Sequence, residues 1–354
     1  ITFRNYGDSV VTSLDFVVNK DGASEKVSIN NLNLTKGKSI QLNLSEITLK
    51  EGRNEVTVSL DKINGLSTDE EPCNNTLYFS QDAVLAAQHK AVLVEEGTGT
   101  WCQWCPRGAV FMDRYNTLYN KLFIPIAVHN GSTDPMLVTE YDKFMGFPGF
   151  PNCKVNRGEI LDPSSSEAPF LKEITKEALA KLITGAKYDE TTKKLNVSAE
   201  VEFLADTDGE FHVSLILTED EVTGTTSGYN QSNAYAGGGN GVMGGYELLP
   251  SPVPAAKMVY DHVARAVSGL NAGANNSFSG SFKKGEKVLL NFEFTLNSTW
   301  ESDKLNIIPI ILNAGEYVNA STSTLEEAMA QGFVSGTKNL TLSEDQVSIY
   351  PNRS

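Results

Sequence analysis

Alternating apolar and polar residues dominate the first part of the chain and predict β-strands. Four segments alternate in this way, and turns rich in Gly, Asn and Lys, such as Lys36-Gly37, separate them. Short strands at this spacing are typical of two packed antiparallel sheets, so we expect a small β-sandwich over residues 1–82. The predicted strands cover residues 10–18, 25–29, 39–44 and 54–60.

The same alternation returns from Leu195 onward and predicts a second β-sandwich over residues 188–345, followed by a tail at 346–354. A Gly-rich insertion, residues 224–245, interrupts it, and we expect a flexible surface loop there. Residues 239–244 match G-x-G-x-x-G, but no strand leads into them and no helix follows. They therefore lack the helix N-terminus that holds a phosphate.

The middle segment, residues 88–187, mixes the two periodicities and predicts an α/β domain. A short apolar run at 91–94 precedes a helix whose apolar residues recur at intervals of four, three and four. The remaining predicted elements are a strand at 123–128, a helix at 136–145, a hairpin at 153–161 with its turn at 156–158, and an amphipathic helix at 169–183.

Length and charge restrict the class of protein. A chain of 354 residues is expected to form two or three domains, and 40% hydrophobic with 21% charged residues is typical of globular proteins. The net charge of -15 argues against nucleic acid or an anionic membrane surface as partner. The sequence contains no run of about 20 apolar residues. It starts at Ile1 without Met, so we expect that a targeting peptide has been removed.

The candidate chemistry lies in Cys102 and Cys105, which are separated by two residues and followed by Pro106. Proline is favoured in the first turn of a helix, so the pair is predicted at a helix N-terminus. Unpaired N–H groups and the helix dipole stabilise a thiolate there. Cys102 is the candidate nucleophile, and Cys105 is close enough to resolve a mixed disulfide. We expect protein thiols or disulfides as the reaction partners.

A zinc site is the alternative reading of two closely spaced cysteines, but it needs a second ligand pair. Cys73 and Cys153 stand singly, and the four histidines lack the spacing of zinc ligands. We therefore expect no metal and no cofactor. The default for Cys153 is a buried, unreactive thiol. Cys73 is left open between a free thiol, a neighbour of a calcium site and a bridge to Cys153.

The order of elements, with Trp101-Cys102-x-x-Cys105 at its front and Gly-x-Pro151 at its back, resembles the thioredoxin fold over residues 88–187. The resemblance implies a cis proline at Pro151 that packs beside the cysteines and shapes a groove for an extended substrate. Trp104 departs from the residues that stand between the cysteines in thioredoxins and disulfide isomerases. Trp101 and Trp104 are counted as supporting residues.

Three further residues are candidates for supporting roles. The buried acid of thioredoxins corresponds to Glu95 or Glu96, and the sequence leaves open which of them. His129 ends a predicted strand on the cysteine side of the sheet, so it either contacts the substrate and thiolate or caps a turn. Asp261-His262 lacks a nearby nucleophile, and we interpret this pair as structural.

Two wider resemblances concern location. Residues 1–82 resemble CARDB-like immunoglobulin modules of bacterial surface proteins, which act as spacers or binding scaffolds. The motif at residues 95–108, followed by Tyr260-Asp-His-Val-Ala-Arg265, resembles the outer-membrane-protein-twenty-eight-related family of envelope proteins. The resemblance implies a cell-envelope location, often with a lipid anchor. Residues 347–354 are similar to the start of a type IX secretion sorting domain.

Two functions are consistent with these observations. The first is an envelope thiol-disulfide oxidoreductase in which Cys102 attacks, Cys105 resolves and Pro151 shapes the groove. The alternative is a cell-surface binding or adhesion protein, in which the thioredoxin-like unit is a non-catalytic scaffold and the disulfide is permanent. The sequence does not specify the redox direction, the substrate or the envelope partner.

Overall fold

A computed structural model describes residues 1–20, 22–44, 48–67, 72–336 and 339–340. The sorting-domain resemblance at 347–354 lies outside these residues. The chain separates into two compact units, Ile1–Leu85 and Ala86–Ser354, each with its own hydrophobic core.

The first unit consists of antiparallel strands, as the alternating pattern predicts. Leu14, Phe16 and Val18 alternate inward along one strand and pack against Val56 and Val58 of another. The central sheet has the order β3-β2-β5-β6, with β7 also paired to β5, and a separate pairing joins β1 to β4. The strands are β1 (Thr2–Arg4), β2 (Leu14–Lys20), β3 (Ala23–Ile29), β4 (Ser39–Gln41), β5 (Gly52–Ile63), β6 (Leu66–Ser67) and β7 (Thr76–Ala83).

The second unit begins with alternating strands and helices and continues with longer antiparallel strands. Its helices are α1 (Pro106–Tyr119), α2 (Thr139–Met145), α3 (Glu167–Ile174) and α4 (Leu325–Gln331). Its first strands are β8 (Val92–Thr98), β9 (Phe123–His129), β10 (Asn152–Val155), β11 (Ile160–Leu161), β12 (Ala180–Asp189), β13 (Lys194–Phe203) and β14 (Thr207–Glu219). The later strands are β15 (Val263–Ser268), β16 (Ser277–Phe282), β17 (Lys287–Thr295), β18 (Leu305–Asn313), β19 (Glu316–Ala320), β20 (Ser323–Thr324) and β21 (Asn339–Leu340).

One sheet of the second unit joins the cysteine-bearing segment to the later strands. Its order is β11-β10-β8-β9-β15-β14-β18-β19, with β8 and β9 parallel and β10 antiparallel to β8. The join is made where Val263 pairs with Ala127 and the Ala127 N–H donates to the carbonyl of His262 at 2.8 Å. A second sheet, β12-β13-β17-β21, packs over the later strands and encloses a core that includes Phe203 and Phe211.

This arrangement differs from the sequence prediction between residues 169 and 189. The predicted helix at 169–183 ends at Ile174, and β12 begins at Ala180. The reason is that residues 180–189 pair with β13 along its whole length, and sheet pairing overrides the apparent helical period. The predicted domain boundary at 187/188 therefore falls inside a strand, and both predicted segments belong to one compact unit.

No helix in the described part of the chain is long and apolar enough to cross a membrane. The structure is multidomain and rich in β-strands, as the pattern predicts.

Asn319 connects the residues before β8 to the sandwich by hydrogen bonds. Its substitution tests whether the second unit folds as one body. Its fully buried amide donates to the carbonyls of His89 and Ala180, at 2.8 Å each, and accepts from the N–H of Ala91 at 3.1 Å. Asn319→Ala removes three hydrogen bonds to backbone groups, two of them buried, so we expect the free energy of unfolding to fall by about 2–4 kcal/mol. Chemical denaturation, followed by tryptophan fluorescence, measures this change.

The matched control is Asn275→Ala, because Asn275 is exposed. It should change the stability by less than about 0.5 kcal/mol. Equal stabilities of the two variants would contradict the assigned role of Asn319.

Candidate functional site around Cys102 and Cys105

The two cysteines lie where β8 passes through a tight turn into α1. The N–H of Cys102 donates to the carbonyl of Gly99, and the N–H of Cys105 donates to the carbonyl of Cys102. Pro106 occupies the first turn of α1, as predicted, so Cys105 directly precedes the helix. Cys102 and Cys105 form a disulfide with a Cα–Cα distance of 5.4 Å.

A segment of the Gly-rich insertion, residues 230–235, covers this turn, and we call it the strap. The Ser232 N–H donates to the carbonyl of Thr100, and the Ala234 N–H donates to that of Gln103, both at 2.8 Å. The side-chain amide of Gln231 donates to the carbonyl of Cys102 at 2.9 Å. The strap therefore satisfies the carbonyl groups that a thiol-disulfide turn would otherwise offer to solvent or to a substrate.

The strap is fixed on its other side by buried polar groups. Gln231 pairs with Val253 through backbone hydrogen bonds in both directions. The side chain of Asn233, which is 2% exposed, donates to the carbonyl of Tyr246 and accepts from the N–H of Tyr235. The expectation of a flexible surface loop is therefore wrong for the strap, because its amides have specific buried partners.

Both cysteines of the disulfide are buried. Cys102 is 5% exposed and Cys105 is 2% exposed. The spacing of the cysteines predicts Cys102 as the nucleophile, and the structure instead buries it. The insertion contacts the same turn, and its Tyr235 meets Trp104 edge to face at a ring distance of 5.7 Å.

Trp101 and Pro151 lie on the open side of the turn. The Trp101 indole N–H donates to the carbonyl of Asn130 at 2.7 Å, and its ring meets Phe150 edge to face at 5.6 Å. The Phe150-Pro151 peptide bond is cis, and β10 starts directly after it by pairing Asn152 with Gly97. The structure therefore brings Pro151 to the same end of β8 as the cysteines. Trp101 remains 47% and Trp104 38% exposed.

The two glutamates of β8 point to opposite sides of the sheet, as consecutive strand residues do. Glu95 is fully buried and accepts hydrogen bonds from the Tyr141 hydroxyl at 2.6 Å and from the Arg157 guanidinium at 3.3 Å. Burial and the Glu95 carboxylate raise the pKa of Tyr141 well above its usual range. Glu95 is thus the partner of a buried cation and does not face the disulfide.

Glu96 faces the disulfide side. It lines a small cavity of about 50 Å³ together with Cys105, and its Oε1 has no hydrogen-bond partner among the described residues. Burial and the nearby carboxylate of Asp113 raise the pKa of Glu96 well above its usual range. A Cβ at Gly108 would lie 1.7 Å from Glu96 Oε1, so any larger residue there would displace the Glu96 carboxyl group. Of the two glutamates, Glu96 is therefore the one that lies beside the disulfide.

His262 lines the same small cavity and connects α1 to the sandwich. Its Nε2 lies 3.3 Å from Asp113 Oδ1, and its Nδ1 lies 3.2 Å from Asp220 Oδ1. Burial alone would lower the pKa of His262, but hydrogen bonds to the two carboxylates outweigh it and raise the pKa to about 9. Its carbonyl also accepts from Ala127, at the join between β9 and β15. These contacts are those of a structural ion pair.

His129 holds the loop that precedes the cysteines. Its Nδ1 lies 2.8 Å from Asp134 Oδ2, and both side chains are buried. Burial raises the pKa of Asp134, but bonds from His129, Thr100 and Met136 outweigh it and lower the pKa. The Thr100 N–H donates to Asp134 at 2.8 Å. His129 therefore acts on the cysteine turn through Asp134, a residue that the sequence analysis missed.

The two remaining cysteines differ in burial. Cys153 is fully buried in β10, and burial together with the Glu96 carboxylate raises its pKa to about 12. Cys73 is exposed in the first unit. The described residues contain no group of three or more His, Cys, Asp or Glu side chains arranged to hold a metal ion.

The raised pKa of Glu96 predicts a pH-dependent gain in stability for Glu96→Gln. The folded protein keeps a proton that the unfolded chain releases once the pH exceeds the usual value of 4.5. Wild-type stability therefore falls as the pH rises toward the folded pKa, by up to about 1.4 kcal/mol per pH unit. Gln cannot ionise, so the advantage of the variant should grow from pH 5 to pH 8 in denaturant titrations.

Glu326→Gln is the matched control, because Glu326 is exposed on α4. Its stability should follow the wild-type pH profile. A constant difference between Glu96→Gln and wild type across this pH range would show that Glu96 is ionised in the folded protein.

The match to a protein family lies within the second unit. The family model for outer membrane protein Omp28 matches residues 138–327. No curated protein matches the chain at a significant level. HBP35 of Porphyromonas gingivalis is similar in structure, with 16% identity over 73% of this chain and 81% of that chain and a TM-score of 0.48.

A protein from Agrobacterium tumefaciens is similar at 13% identity over 69% of this chain and 96% of that chain, with a TM-score of 0.41. A DUF3823 family protein from Bacteroides ovatus has 9% identity over 92% of this chain and 97% of that chain, with a TM-score of 0.21. The family match spans more than half of the chain. The chain therefore belongs to the outer membrane protein Omp28 family and is a protein of the bacterial cell envelope.

Proposed function

We propose that the protein is a cell-surface binding protein in which the cysteine-bearing segment is a rigid, non-catalytic scaffold. The observation that carries this proposal is the burial of both disulfide cysteines in a turn whose carbonyl groups are bonded to the strap. The family match supports it as well, because residues 138–327 exclude Cys102 and Cys105.

The chemical argument rests on access. Thiol-disulfide exchange requires a thiolate to approach one sulfur of the disulfide and form a mixed disulfide with it. Cys102 is 5% exposed, and the carbonyls of Thr100 and Gln103 are already bonded to the strap. An extended substrate would therefore have to displace Ser232 and Ala234 before it could reach the disulfide.

We further propose that residues 88–187 form a thioredoxin-like unit. The support comes from the strand order β11-β10-β8-β9, with parallel β8 and β9 joined through α1 and a hairpin beside β8. The cis Phe150-Pro151 bond lies next to Trp101, where the resemblance implies it. In this proposal the thioredoxin-like unit is a stable frame, and its strand β9 pairs with β15 of the sandwich.

We also propose that residues 1–82 are a CARDB-like immunoglobulin module that acts as a spacer. The support comes from its short antiparallel strands and from its separate apolar core around Leu14 and Val56.

A thiol-disulfide oxidoreductase that acts on protein thiols or disulfides is the second candidate. It is favoured by the presence of Glu96, Pro151 and a helix N-terminus around the disulfide, beneath the strap. In that case Cys102 attacks and Cys105 resolves only after the strap has opened. The scaffold proposal predicts no exchange whether or not the strap is in place, whereas the oxidoreductase candidate predicts exchange once the strap is loosened.

Insulin reduction by dithiothreitol separates the candidates. We expect wild-type protein to give no acceleration over dithiothreitol alone, because the sulfurs are covered. Gln231→Ala removes the side-chain bond to the Cys102 carbonyl and loosens the strap, and it should also give no acceleration. Precipitation of the insulin B chain, followed by turbidity, is the readout.

Cys102→Ser/Cys105→Ser in the Gln231→Ala background is the matched control for any acceleration. Acceleration by wild type, lost in the control, would overturn the scaffold proposal. Acceleration by Gln231→Ala alone would also overturn it, in favour of an oxidoreductase gated by the strap.

A further inference from the structure

The second unit contains a large cavity on the side of β8 that faces away from the disulfide. Its volume is about 840 Å³, within the usual range of small-molecule sites of roughly 300–1,000 Å³. It lies between the end of α2, the β10–β11 hairpin and the sandwich strands β14, β16 and β18. The residues that line it fall between 144 and 315, inside the segment that the family model matches.

The walls of the cavity are largely aromatic and apolar. Phe211 and Leu312 are buried beneath it, while Phe144 and Phe278 have faces that solvent partly reaches. Phe278 stacks on Phe211 with ring centroids 5.6 Å apart. Such walls bind a flat apolar or aromatic group by burial of its faces.

Two buried polar side chains of the lining each have an atom without a partner among the described residues. Arg157 uses Nε and Nη2 to bind Glu95, and its Nη1 has no hydrogen-bond partner. Its side chain is 9% exposed, and its guanidinium lies 5.0 Å from the centre of the Phe144 ring. His212, which is 6% exposed, has no partner for Nε2.

Unpartnered buried polar atoms are uncommon in folded proteins because each costs about 1–3 kcal/mol. Because Arg157 lines this cavity, a ligand with an acceptor group supplies the partner that Nη1 lacks among the described residues. An oxygen anion suits Arg157, because guanidinium groups bind carboxylates with well-defined geometry.

The charged side chains around the cavity are two cations and two carboxylates. Glu95 balances the charge of Arg157, and Lys154 adds a second cation whose Nζ donates to the Met145 carbonyl at 2.9 Å. Burial and the charge of Arg157 lower the pKa of His212, so its ring is neutral at pH 7. Glu210 is the acidic member of the lining and is exposed.

We propose that this cavity binds a small organic carboxylate with an aromatic or apolar ring, its carboxylate held by Arg157 and its ring held between the phenylalanine side chains. This inference rests on the proposed binding function and names the chemical class of its ligand. It involves no change at the disulfide.

The test uses 2-naphthoate as probe and its neutral isostere 2-naphthamide, with the full chain, in ligand-observed NMR and isothermal titration calorimetry. We expect saturable binding of 2-naphthoate that is at least about tenfold tighter than that of 2-naphthamide, because a hydrogen bond to a charged group contributes about 1.5–3 kcal/mol. Absence of saturable binding, or equal affinity for the two probes, would overturn the proposal.

Two variants locate the binding. Ala272→Trp places a large side chain at an exposed position of the lining and should abolish binding, while Ala205→Trp, exposed and outside the lining, should not change it. Arg157→Lys keeps the charge beside Glu95 but removes the guanidinium, so it should weaken 2-naphthoate binding about tenfold and leave 2-naphthamide unchanged.

If the Ala272→Trp variant still binds 2-naphthoate, the probe binds elsewhere and the cavity proposal is wrong. This conclusion does not depend on the result of the insulin assay. Insulin reduction by a protein that binds 2-naphthoate as expected would instead overturn the scaffold role of the disulfide and leave the cavity proposal standing.

Discussion

The hydrogen bonds between the strap and the cysteine turn determine what the Cys102–Cys105 pair can do. The carbonyls of Thr100, Cys102 and Gln103 all accept from residues of the strap. Each such bond contributes about 0.5–1.5 kcal/mol, and the buried anchors of the strap make its displacement more costly. In the proposed scaffold function, these bonds keep the disulfide in the protein interior, where it does not exchange with another protein.

Strand β8 links this covered disulfide to the large cavity. Its consecutive residues Glu95 and Glu96 face opposite sides of the sheet, so one supports Arg157 and the other lies behind Cys105. A strand buried on both faces holds these two carboxyl groups in different electrostatic surroundings. The same element therefore supports a candidate binding site on one side and a closed, structural site on the other.

Local sequence was sufficient for much of the fold. Alternation predicted the sheets of both units, and Pro106 after Cys105 marked the start of α1, because these signals depend on near neighbours. The helix predicted at 169–183 was wrong after Ile174, since pairing of β12 with β13 is a long-range interaction. The strap was missed for the same reason, as its partners lie about 130 residues away in the sequence.

Long-range contacts also limited what the sequence could predict about the site residues. The spacing of two cysteines located the disulfide, but no sequence signal indicated that Gln231 and Asn233, polar residues inside a Gly-rich insertion, would cover it. Arg157 was expected only as a turn residue of the hairpin. Its role depends on Glu95, which is 62 residues distant, and on the cavity formed with β14.

Amide hydrogen exchange of Ser232 and Ala234 tests the central claim most directly, because their N–H groups bind the cysteine turn. If the strap is closed in solution, both amides exchange as slowly as those of the central β14–β18 pairing, such as Ile310. Exchange at the rate of an exposed loop amide, such as that of Gly239, would show that the strap is open and would contradict the account.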